Sequence, residues 1–480
     1  MQINGTERKQ KQWNRKLQKS WRKSCCSASR IISDGWPAAR EEAEAFCEDY
    51  KAFLDKAKTE REAAAEIEKR LVAAGYRPFD HMEKTELKPG EKVYYNNRGK
   101  AILAATIGTR SLEEGAHFMI AHIDSPRLDL KPNPLYEDGG LSLFKTHYYG
   151  GIRKYQWSAT PLSLHGVVYK RGGEKVEFCV GEAPGDPVFC VTDLLPHLSA
   201  DQNRRPLSEG LKGEELNIVV GSIPYAGKEA KERIKLYTMQ LLNDRYGITE
   251  RDFTRAEIEA VPAFRAVDVG FDRSMIGAYG HDDRVCAYTA LRAEIDAKAP
   301  AFTTLCVLTD KEEVGSEGTT GLQGDYTFHF LKALARAQGA DYEEVLRRSV
   351  CVSADVNAAL DPTFPDVHDP RNAARMNCGV CLTKYTGARG KGATNDASAE
   401  TLSYVTNVFD EANVAWQTGE LGKVDQGGGG TIAKFVSNRN VDTVDIGVPM
   451  LSMHAPFELV AKQDVLMTYR AFLAFATARQ

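Results

Sequence analysis

The chain has 480 residues, of which 42% are hydrophobic and 27% charged, the balance of an ordinary globular protein. This length exceeds what one compact core usually holds, so we expect two domains, or one large domain with an insertion. A net charge of −4 gives no overall reason to expect nucleic acid or an anionic membrane as a partner. No apolar stretch is long enough to span a bilayer, and we expect no signal peptide at the start of the chain. Ten scattered cysteines, mostly in apolar runs, indicate reduced thiols in a cytoplasmic protein.

Residues 1–34 form a basic segment that differs from the rest of the chain. The first thirty residues contain nine lysines and arginines against one acid, Glu7. We predict a disordered tail here. A nucleic-acid-binding arm or a targeting peptide is the alternative, which the sparse aromatic residues of this segment, Trp13 and Trp21, disfavour.

The next segments predict a helix, three strands and then a β-rich stretch. Residues 38–74 are rich in alanine, glutamate and lysine, with Gly75 as a stop signal for a helix. Three strand-like runs follow, KVYYNN, AILAATIG and HFMIAHI. From about residue 125 to 260, runs such as PLSLHGVVYKR, KVEFCVG and DPVFCVTDLL alternate at strand period between Gly/Pro turns. The helix-like run KEAKERIKLYTMQLLNDRYG closes this stretch.

From Phe271 onward, helical and strand-like segments alternate to the end of the chain, which is the pattern of an α/β fold. We therefore predict an α/β domain made of residues 35–125 and 261–480. A β-rich domain at 126–260 interrupts it.

Histidines and carboxylates follow the apolar runs of the predicted α/β domain. The run FTTLCVL leads into TDKEEVGSEG, so two adjacent glutamates stand just past a strand end, where both can serve one site. Other runs end in the same way, and ligands of open α/β sheets bind in the crevice at the carboxyl ends of the strands. The residues that share this position, or precede a helix-like run nearby, are His122, Asp124, Asp282, Asp283, Glu312, Glu313, Asp355 and His454.

Two imidazoles and three carboxylates form a typical ligand set for two closely spaced zinc ions. If one carboxylate bridges the pair, each ion has three protein ligands and keeps an open position for water. A further carboxylate that is not a ligand could then take the proton from that water. The two adjacent glutamates would divide these tasks, one as ligand and one as base.

Five ordered motifs resemble those of the M18 family of metallo-aminopeptidases, whose best-known members are the aspartyl aminopeptidases. They are AHIDSPRLDLKP, GHDDRVCAYTAL, DKEEVGSEGTTGLQGDY, SADVNAALDP and VPMLSMHAPFE. The resemblance covers roughly residue 35 to the end of the chain and excludes the basic tail. It implies a phosphorylase/hydrolase-like α/β domain that holds two divalent ions, zinc first with cobalt and manganese as alternatives. It also implies that the β-rich insertion serves as the dimerisation and assembly domain.

The resemblance also implies a role for each candidate ligand. His122 and Asp355 would bind one ion, Glu313 and His454 the other, and Asp282 would bridge both. The peptide bond after the bridging aspartate is characteristically cis in this family.

Three further roles follow from the resemblance. Glu312 would be the general base and acid of peptide hydrolysis, and Asp124 would orient the imidazole of His122. His197 would reach from the insertion into the active site of a neighbouring subunit. Family members assemble as tetrahedral dodecamers built from dimers, which restricts access to short peptides.

The preferred substrate is less closely defined. Acid-selective members use basic residues near the segment LTKYTGARGKGATND, where this chain offers Lys384, Arg389 and Lys391. A preference for an N-terminal Asp or Glu is therefore expected. The alternatives are a di-metal aminopeptidase of broad or neutral specificity, such as the M42 type, and a non-catalytic binding or scaffold protein. The intact Glu312 argues against the scaffold, and the lack of basic patches beyond the tail argues against a nucleic-acid binder.

Overall fold

A computed structural model describes residues 36–82, 86–227 and 230–479 of the chain. The basic tail predicted at residues 1–34 lies outside these ranges. No helix within them is long and apolar enough to cross a membrane. The eight cysteines that the structure describes are free thiols, while the cytoplasmic location remains a prediction.

The helices and strands are numbered in chain order. The α-helices of the described ranges are α1 (Trp36–Leu54), α2 (Glu60–Ala73), α3 (Arg233–Tyr246), α4 (His281–Asp296), α5 (Tyr326–Ala337), α6 (Tyr342–Arg348), α7 (Ala399–Glu411), α8 (Ala433–Ser437) and α9 (Lys462–Ala476). The strands are β1 (Arg77–Pro78), β2 (Lys92–Asn97), β3 (Ala101–Thr106), β4 (Ala116–His122), β5 (Arg127–Asp138), β6 (Leu141–Tyr149), β7 (Leu162–Tyr169), β8 (Lys175–Val180), β9 (Cys190–Val191), β10 (Ile218–Gly221), β11 (Ala256–Pro262), β12 (Val267–Val269), β13 (Met275–Ala278), β14 (Thr303–Thr309), β15 (Val350–Ala354), β16 (Asn357–Ala358), β17 (Val380–Thr383), β18 (Trp416–Thr418), β19 (Asp442–Gly447), β20 (Pro449–Leu451) and β21 (Glu458–Ala461).

A nine-stranded mixed sheet organises the α/β part of the molecule. Its strand order is β1-β2-β3-β14-β4-β15-β19-β17-β18, and β14, β4, β15 and β19 run parallel at its centre. Strands β14 and β4 are buried along their whole length, with Cys306 and Leu308 packed into one hydrophobic core and Leu305 and Val307 into the other. Because both faces of these strands are buried, their sequences are continuous apolar runs.

A seven-stranded antiparallel sheet forms a separate layer, with the order β8-β7-β11-β5-β6-β10-β9. Its strands, β5–β11, all fall between β4 and β14 of the larger sheet in the chain. It has its own hydrophobic core, which includes Trp157, Phe178 and Ile258. A third, five-stranded sheet has the order β12-β13-β21-β20-β16.

Two of the predicted elements differ from the structure. The helix expected over residues 38–74 is two helices, because Thr59 begins α2 with a capping box in which its hydroxyl accepts from the backbone N–H of Glu62. This cap satisfies N–H groups that a helix end leaves free, so the break is stable. In the run DPVFCVTDLL, only Cys190–Val191 forms a strand.

Candidate metal centre

Three neighbouring parallel strands bring their carboxyl ends to one edge of the large sheet. Strand β4 ends on His122, with β14 on one side and β15 on the other. A one-turn 3-10 helix, Glu312–Val314, follows β14, and Asp355 follows β15 directly. The predicted meeting of these side chains at the strand ends is therefore present in the structure.

Two further candidate residues reach this edge from other elements. Asp282 lies at the start of α4 in a non-helical conformation, and its peptide bond to Asp283 is cis. His454 lies in the loop between β20 and β21. Both strands belong to the five-stranded sheet, so the crevice lies between this small sheet and the large one.

The side chains approach one another closely enough to hold cations. We call the following residues the crevice cluster: His122, Asp282, Glu312, Glu313, Asp355 and His454. The two oxygens of Asp282 face different imidazoles, with Oδ1 at 3.3 Å from His122 Nε2 and Oδ2 at 3.1 Å from His454 Nε2. Asp355 Oδ1 lies 3.8 Å from His122 Nε2, and Glu313 Oε2 lies 3.5 Å from His454 Nε2.

Hydrogen bonds orient both imidazoles toward the crevice. His122 Nδ1 lies 3.2 Å from Asp124 Oδ1, and His454 Nδ1 lies 2.7 Å from the carbonyl oxygen of Gly151. Because carboxylates and carbonyls only accept, each Nδ1 carries a hydrogen, and each Nε2 is left as the ring atom that faces the crevice carboxylates. Asp124 also accepts from the Tyr149 hydroxyl and from the backbone N–H of Glu312 and Glu313, so it holds the glutamate turn as well.

The crevice cluster carries more negative charge than the described protein around it can balance. Burial, and then repulsion from Asp355, raises the pKa of Glu312 to about 8. Burial and repulsion from Asp282 raise the pKa of Glu313 well above its usual value. Burial alone would raise the pKa of Asp282, but the two imidazoles hold it below its usual value. No lysine or arginine within the described ranges forms an ion pair with these carboxylates.

Metal ions fit this set of side chains. His122 Nε2 and Glu313 Oε1 are buried without a hydrogen-bond partner in the described structure, an arrangement that ordinarily costs free energy. Imidazole nitrogen and carboxylate oxygen are zinc ligands, and a dication would supply the missing positive charge. Three groups have ligand atoms within 4.8 Å of one another: His122 with Asp282 and Asp355, Asp282 with Glu313 and His454, and His122 with Glu312 and Glu313.

A family model described as aminopeptidase I zinc metalloprotease (M18) matches residues 53–476. The chain belongs to the M18 family. It is therefore a zinc metallo-aminopeptidase by family.

Known proteins agree with this membership. The chain is 49% identical over 438 residues to a probable M18 family aminopeptidase 1 of Thermotoga maritima, a match that covers 90% of this chain and 96% of that protein. The crystal structure of an M18 aminopeptidase from Thermotoga maritima superposes with a TM-score of 0.86 at 48% identity, covering 91% and 96% of the two chains. A structure of an S. cerevisiae mApe1 dodecamer shares the fold, with a TM-score of 0.73 at 19% identity over 90% and 95% of the chains.

Other candidate residues of this M18 aminopeptidase lie away from the crevice. His197 lies in an exposed turn after β9 and does not line the cavity of its own chain. Lys384 and Lys391 both pair with Asp396, at 2.9 and 2.8 Å. Arg389 lines a small neighbouring cavity rather than the one at the crevice cluster.

Several residues at the crevice were not predicted from the sequence. Glu458 accepts from the backbone N–H of Asp282 at 3.2 Å and from that of His454 at 2.7 Å, so one buried carboxylate positions two of the candidate ligands. Burial, and then repulsion from Asp282, raises the pKa of Glu458 to about 8. Glu458 begins the apolar strand β21 four residues after His454, and this position of a carboxylate was the sequence signal that could have identified it.

The cavity at the crevice cluster has a volume of about 480 Å³. Its walls include Gly428, Gly429 and Gly430, three glycines of the GGGG run at residues 427–430. Lys434, which was also not predicted, contributes a cationic side chain to the lining.

Proposed function

We propose that this aminopeptidase removes the N-terminal residue of short peptides at a centre of two divalent ions, zinc in the first instance. His122 and Asp355 would hold one ion, Glu313 and His454 the other, and Asp282 would bridge them. One observation carries this proposal: the two oxygens of Asp282 face two different imidazoles, at 3.3 and 3.1 Å. A carboxylate so placed can serve two ions at once.

Bound ions would polarise the scissile carbonyl and make an attacking water more acidic. The protein must then move a proton from that water to the leaving amine, and Glu312 is the residue we assign to this transfer. Its side chain lines the cavity and is 16% exposed, whereas that of Glu313 is only 3% exposed. Of the two adjacent glutamates, the more accessible one is thus suited to exchange protons and the buried one to hold an ion.

Asp124 is proposed to position rather than to react. The carboxylate of Asp124 contacts Nδ1 of His122, and it also accepts hydrogen bonds from the backbone N–H groups of Glu312 and Glu313. One buried carboxylate therefore fixes the orientation of a ligand and of the turn that carries the base. Ligand-orienting partners of this kind are known to tune metal affinity.

We assign the preference for an acidic N-terminal residue to the cationic wall of the cavity. Lys434 lines the cavity, and its ammonium could pair with a substrate carboxylate. Three other cations stay candidates for pairing with the substrate carboxylate, provided that their loop moves toward the crevice cavity. They are Lys384, Arg389 and Lys391. Broad or neutral specificity, as in the M42 type, is the second candidate function, because Lys384 and Lys391 are both already paired with Asp396.

We also propose that residues 35–125 and 261–480 form the catalytic domain and residues 126–260 an assembly domain. The seven-stranded sheet, with a core of its own, supports this division. A tetrahedral dodecamer built from dimers is the proposed assembly, consistent with the shared fold of the mApe1 dodecamer. The exposed turn that carries His197 belongs to this unit and is free, in a single chain, to approach a neighbour's crevice.

The test combines metal analysis with a substrate profile of the purified full-length protein. Elemental analysis should find at least two divalent ions per chain, and chelation should abolish hydrolysis of aminoacyl-nitroanilides until zinc is returned. Aspartyl and glutamyl substrates should be cleaved faster than leucyl or lysyl ones. Hydrolysis that survives complete removal of the ions would overturn the proposal, and equal rates on all substrates would favour the M42-like alternative.

A further inference from the structure

A second group of metal-ligating side chains lies where helix α2 meets the seven-stranded sheet. It consists of Glu62 on α2, His165 on β7 and Cys179 on β8, and we call it the interface cluster. One ligand atom from each lies within 4.8 Å of the others. His165 Nδ1 is 2.7 Å from Glu62 Oε1 and 3.8 Å from Cys179 Sγ.

The backbone fixes all three members of the interface cluster. His165 and Cys179 are direct partners in the antiparallel pairing of β7 with β8, so their side chains leave the same face of the sheet side by side. Glu62 is part of the capping box of α2, and its Oε2 accepts from the backbone N–H of Lys58 and of Thr59. These two bonds leave Oε1 directed at His165.

The second nitrogen of His165 is held as it is in metal-binding histidines. His165 Nε2 lies 3.1 Å from Glu182 Oε1 and 3.0 Å from Ser163 Oγ. Glu182 can only accept when ionised, and Lys58 Nζ keeps it so at 2.8 Å. Nε2 therefore carries a hydrogen, and a carboxylate behind the ring leaves Nδ1 as the atom available to a metal.

We propose that Glu62, His165 and Cys179 bind a divalent transition-metal ion, zinc in the first instance, that ties helix α2 to the seven-stranded sheet. Carboxylate oxygen, imidazole nitrogen and thiolate sulfur are all zinc ligands, and three of them leave a fourth position for water. Cys179 is exposed, which provides a path of entry for the ion.

The exchange that accompanies binding balances in charge. The 2.7 Å contact between His165 Nδ1 and Glu62 Oε1 requires one hydrogen between them, and the free thiol of Cys179 carries another. When the metal–nitrogen and metal–sulfur bonds form, the N–H and S–H bonds break and both protons pass to solvent. Two protons leave as one divalent ion binds, so the net charge of the site does not change. The neighbouring ion pair of Lys58 and Glu182 can therefore stay as it is.

The competing explanation is an ion pair without metal. In that case a protonated His165 bridges Glu62 and Glu182 and links the two parts of the molecule by itself. The two explanations differ over Cys179, which an ion pair does not need and a metal site does.

Cobalt substitution of the full-length protein tests this directly. The proposed ligands of the crevice cluster are only oxygen and nitrogen, so a thiolate-to-cobalt charge-transfer absorption would report on a cysteine site. We expect this absorption in the wild type, its loss in Cys179→Ser, and its retention in Cys190→Ser, a matched cysteine on β9 of the same sheet. Zinc-loaded Cys179→Ser should hold one ion fewer per chain than wild type after dialysis.

Peptidase activity separates this proposal from the proposed function. Cys179→Ser should hydrolyse peptides at the wild-type rate, because no member of the interface cluster lines the crevice cavity. The same absorption in Cys179→Ser as in wild type, its absence from wild type, or equal zinc content in both proteins would each overturn the metal site and leave the ion pair.

Discussion

The crevice cluster and the interface cluster both combine histidine with carboxylate, in different charge environments. In the crevice cluster four carboxylates face two imidazoles, and no described lysine or arginine pairs with them. Beside the interface cluster a buried lysine, Lys58, pairs with Glu182, and His165 lies between the carboxylates of Glu62 and Glu182. A deficit of positive charge, rather than the presence of histidine, therefore distinguishes a site that depends on cations.

The pKa values of the two regions show the same contrast. Burial and repulsion from Asp355 raise the pKa of Glu312 to about 8, so the crevice carboxylates resist ionising together. Although burial opposes it, hydrogen bonds from His165, Lys58 and Ser163 lower the pKa of Glu182 to about 2. The crevice cluster therefore needs an added cation, whereas the interface cluster can exchange a metal for protons.

Asp282→Ala should have the largest effect, because this side chain is proposed to serve both ions. The variant should hold two ions fewer per chain than wild type by elemental analysis, and its hydrolysis should fall to background. Asp283→Asn is the matched control. Asp283 is also buried but belongs to none of the three ligand groups of the crevice cluster, so this variant should keep both ions. Unchanged metal content in Asp282→Ala would move the bridge to another residue.

Glu312→Gln should lower kcat by about 10²–10⁴-fold, the usual cost of losing a general base. Its metal content should equal that of wild type, because Glu312 is proposed as a base rather than a ligand. Elemental analysis beside steady-state kinetics checks both expectations. Loss of an ion would instead assign Glu312 to the group formed with His122 and Glu313, and normal turnover would remove it from the mechanism.

His197→Ala should lower kcat by about 10²–10³-fold if the imidazole donates to the developing oxyanion of a neighbouring subunit. Metal content and assembly, measured by elemental analysis and light scattering, should not change. His147→Ala is the control, because His147 is an exposed histidine on β6, within the same proposed assembly domain as His197.

Mixed oligomers test whether His197 acts in the crevice of a neighbouring subunit. His197→Ala chains and Glu312→Gln chains, each with strongly reduced activity alone, should recover activity above both parents when they are dissociated and reassembled together. Recovery requires that some crevices combine an intact base with an intact histidine from a neighbour. Mixtures that stay as inactive as both parents would exclude a shared site.

Lys434→Met should reduce kcat/KM for glutamyl substrates by about 10- to 100-fold relative to leucyl substrates, the range expected for a charged hydrogen bond. This change in kcat/KM would show whether the Lys434 ammonium pairs with an acidic substrate side chain or only lines the crevice. Lys332→Met, on the exposed face of α5, should leave the ratio unchanged. If the ratio of glutamyl to leucyl kcat/KM is unchanged in Lys434→Met, Lys434 does not select acidic substrates. The remaining candidates for that role would be Lys384, Arg389 and Lys391.

Glu182→Gln should have the smallest effect and concerns only the interface cluster. Loss of the carboxylate behind a ligating histidine weakens metal binding by about 10- to 100-fold, so zinc affinity at this cluster should fall by that factor. Competition with a zinc indicator measures the affinity, and Glu177→Gln, on the exposed part of β8, is the control. Equal affinities in Glu182→Gln and wild type would show that His165 is not the ligand.

Much of the fold and the crevice followed from local pattern. Alternating helical and strand-like segments predicted the α/β part, and apolar runs predicted β4, β14 and β15. Because these parallel strands end at one edge of a sheet, the titratable residues just past each run could be expected to meet. The break before α2 was missed, because the composition of residues 38–74 is helical throughout and a capping box is a short signal within it.

The residue types at the strand ends are evident from the amino-acid sequence alone, and the order of its motifs resembles one family. The three-dimensional structure was needed to show that the two oxygens of Asp282 face two imidazoles, and that Glu458 positions both Asp282 and His454. Likewise, only the packing of α2 on the seven-stranded sheet brings Glu62 to His165, 103 residues away in the chain. Periodicity reports how a segment folds locally, whereas contacts between distant segments depend on how the layers pack against one another.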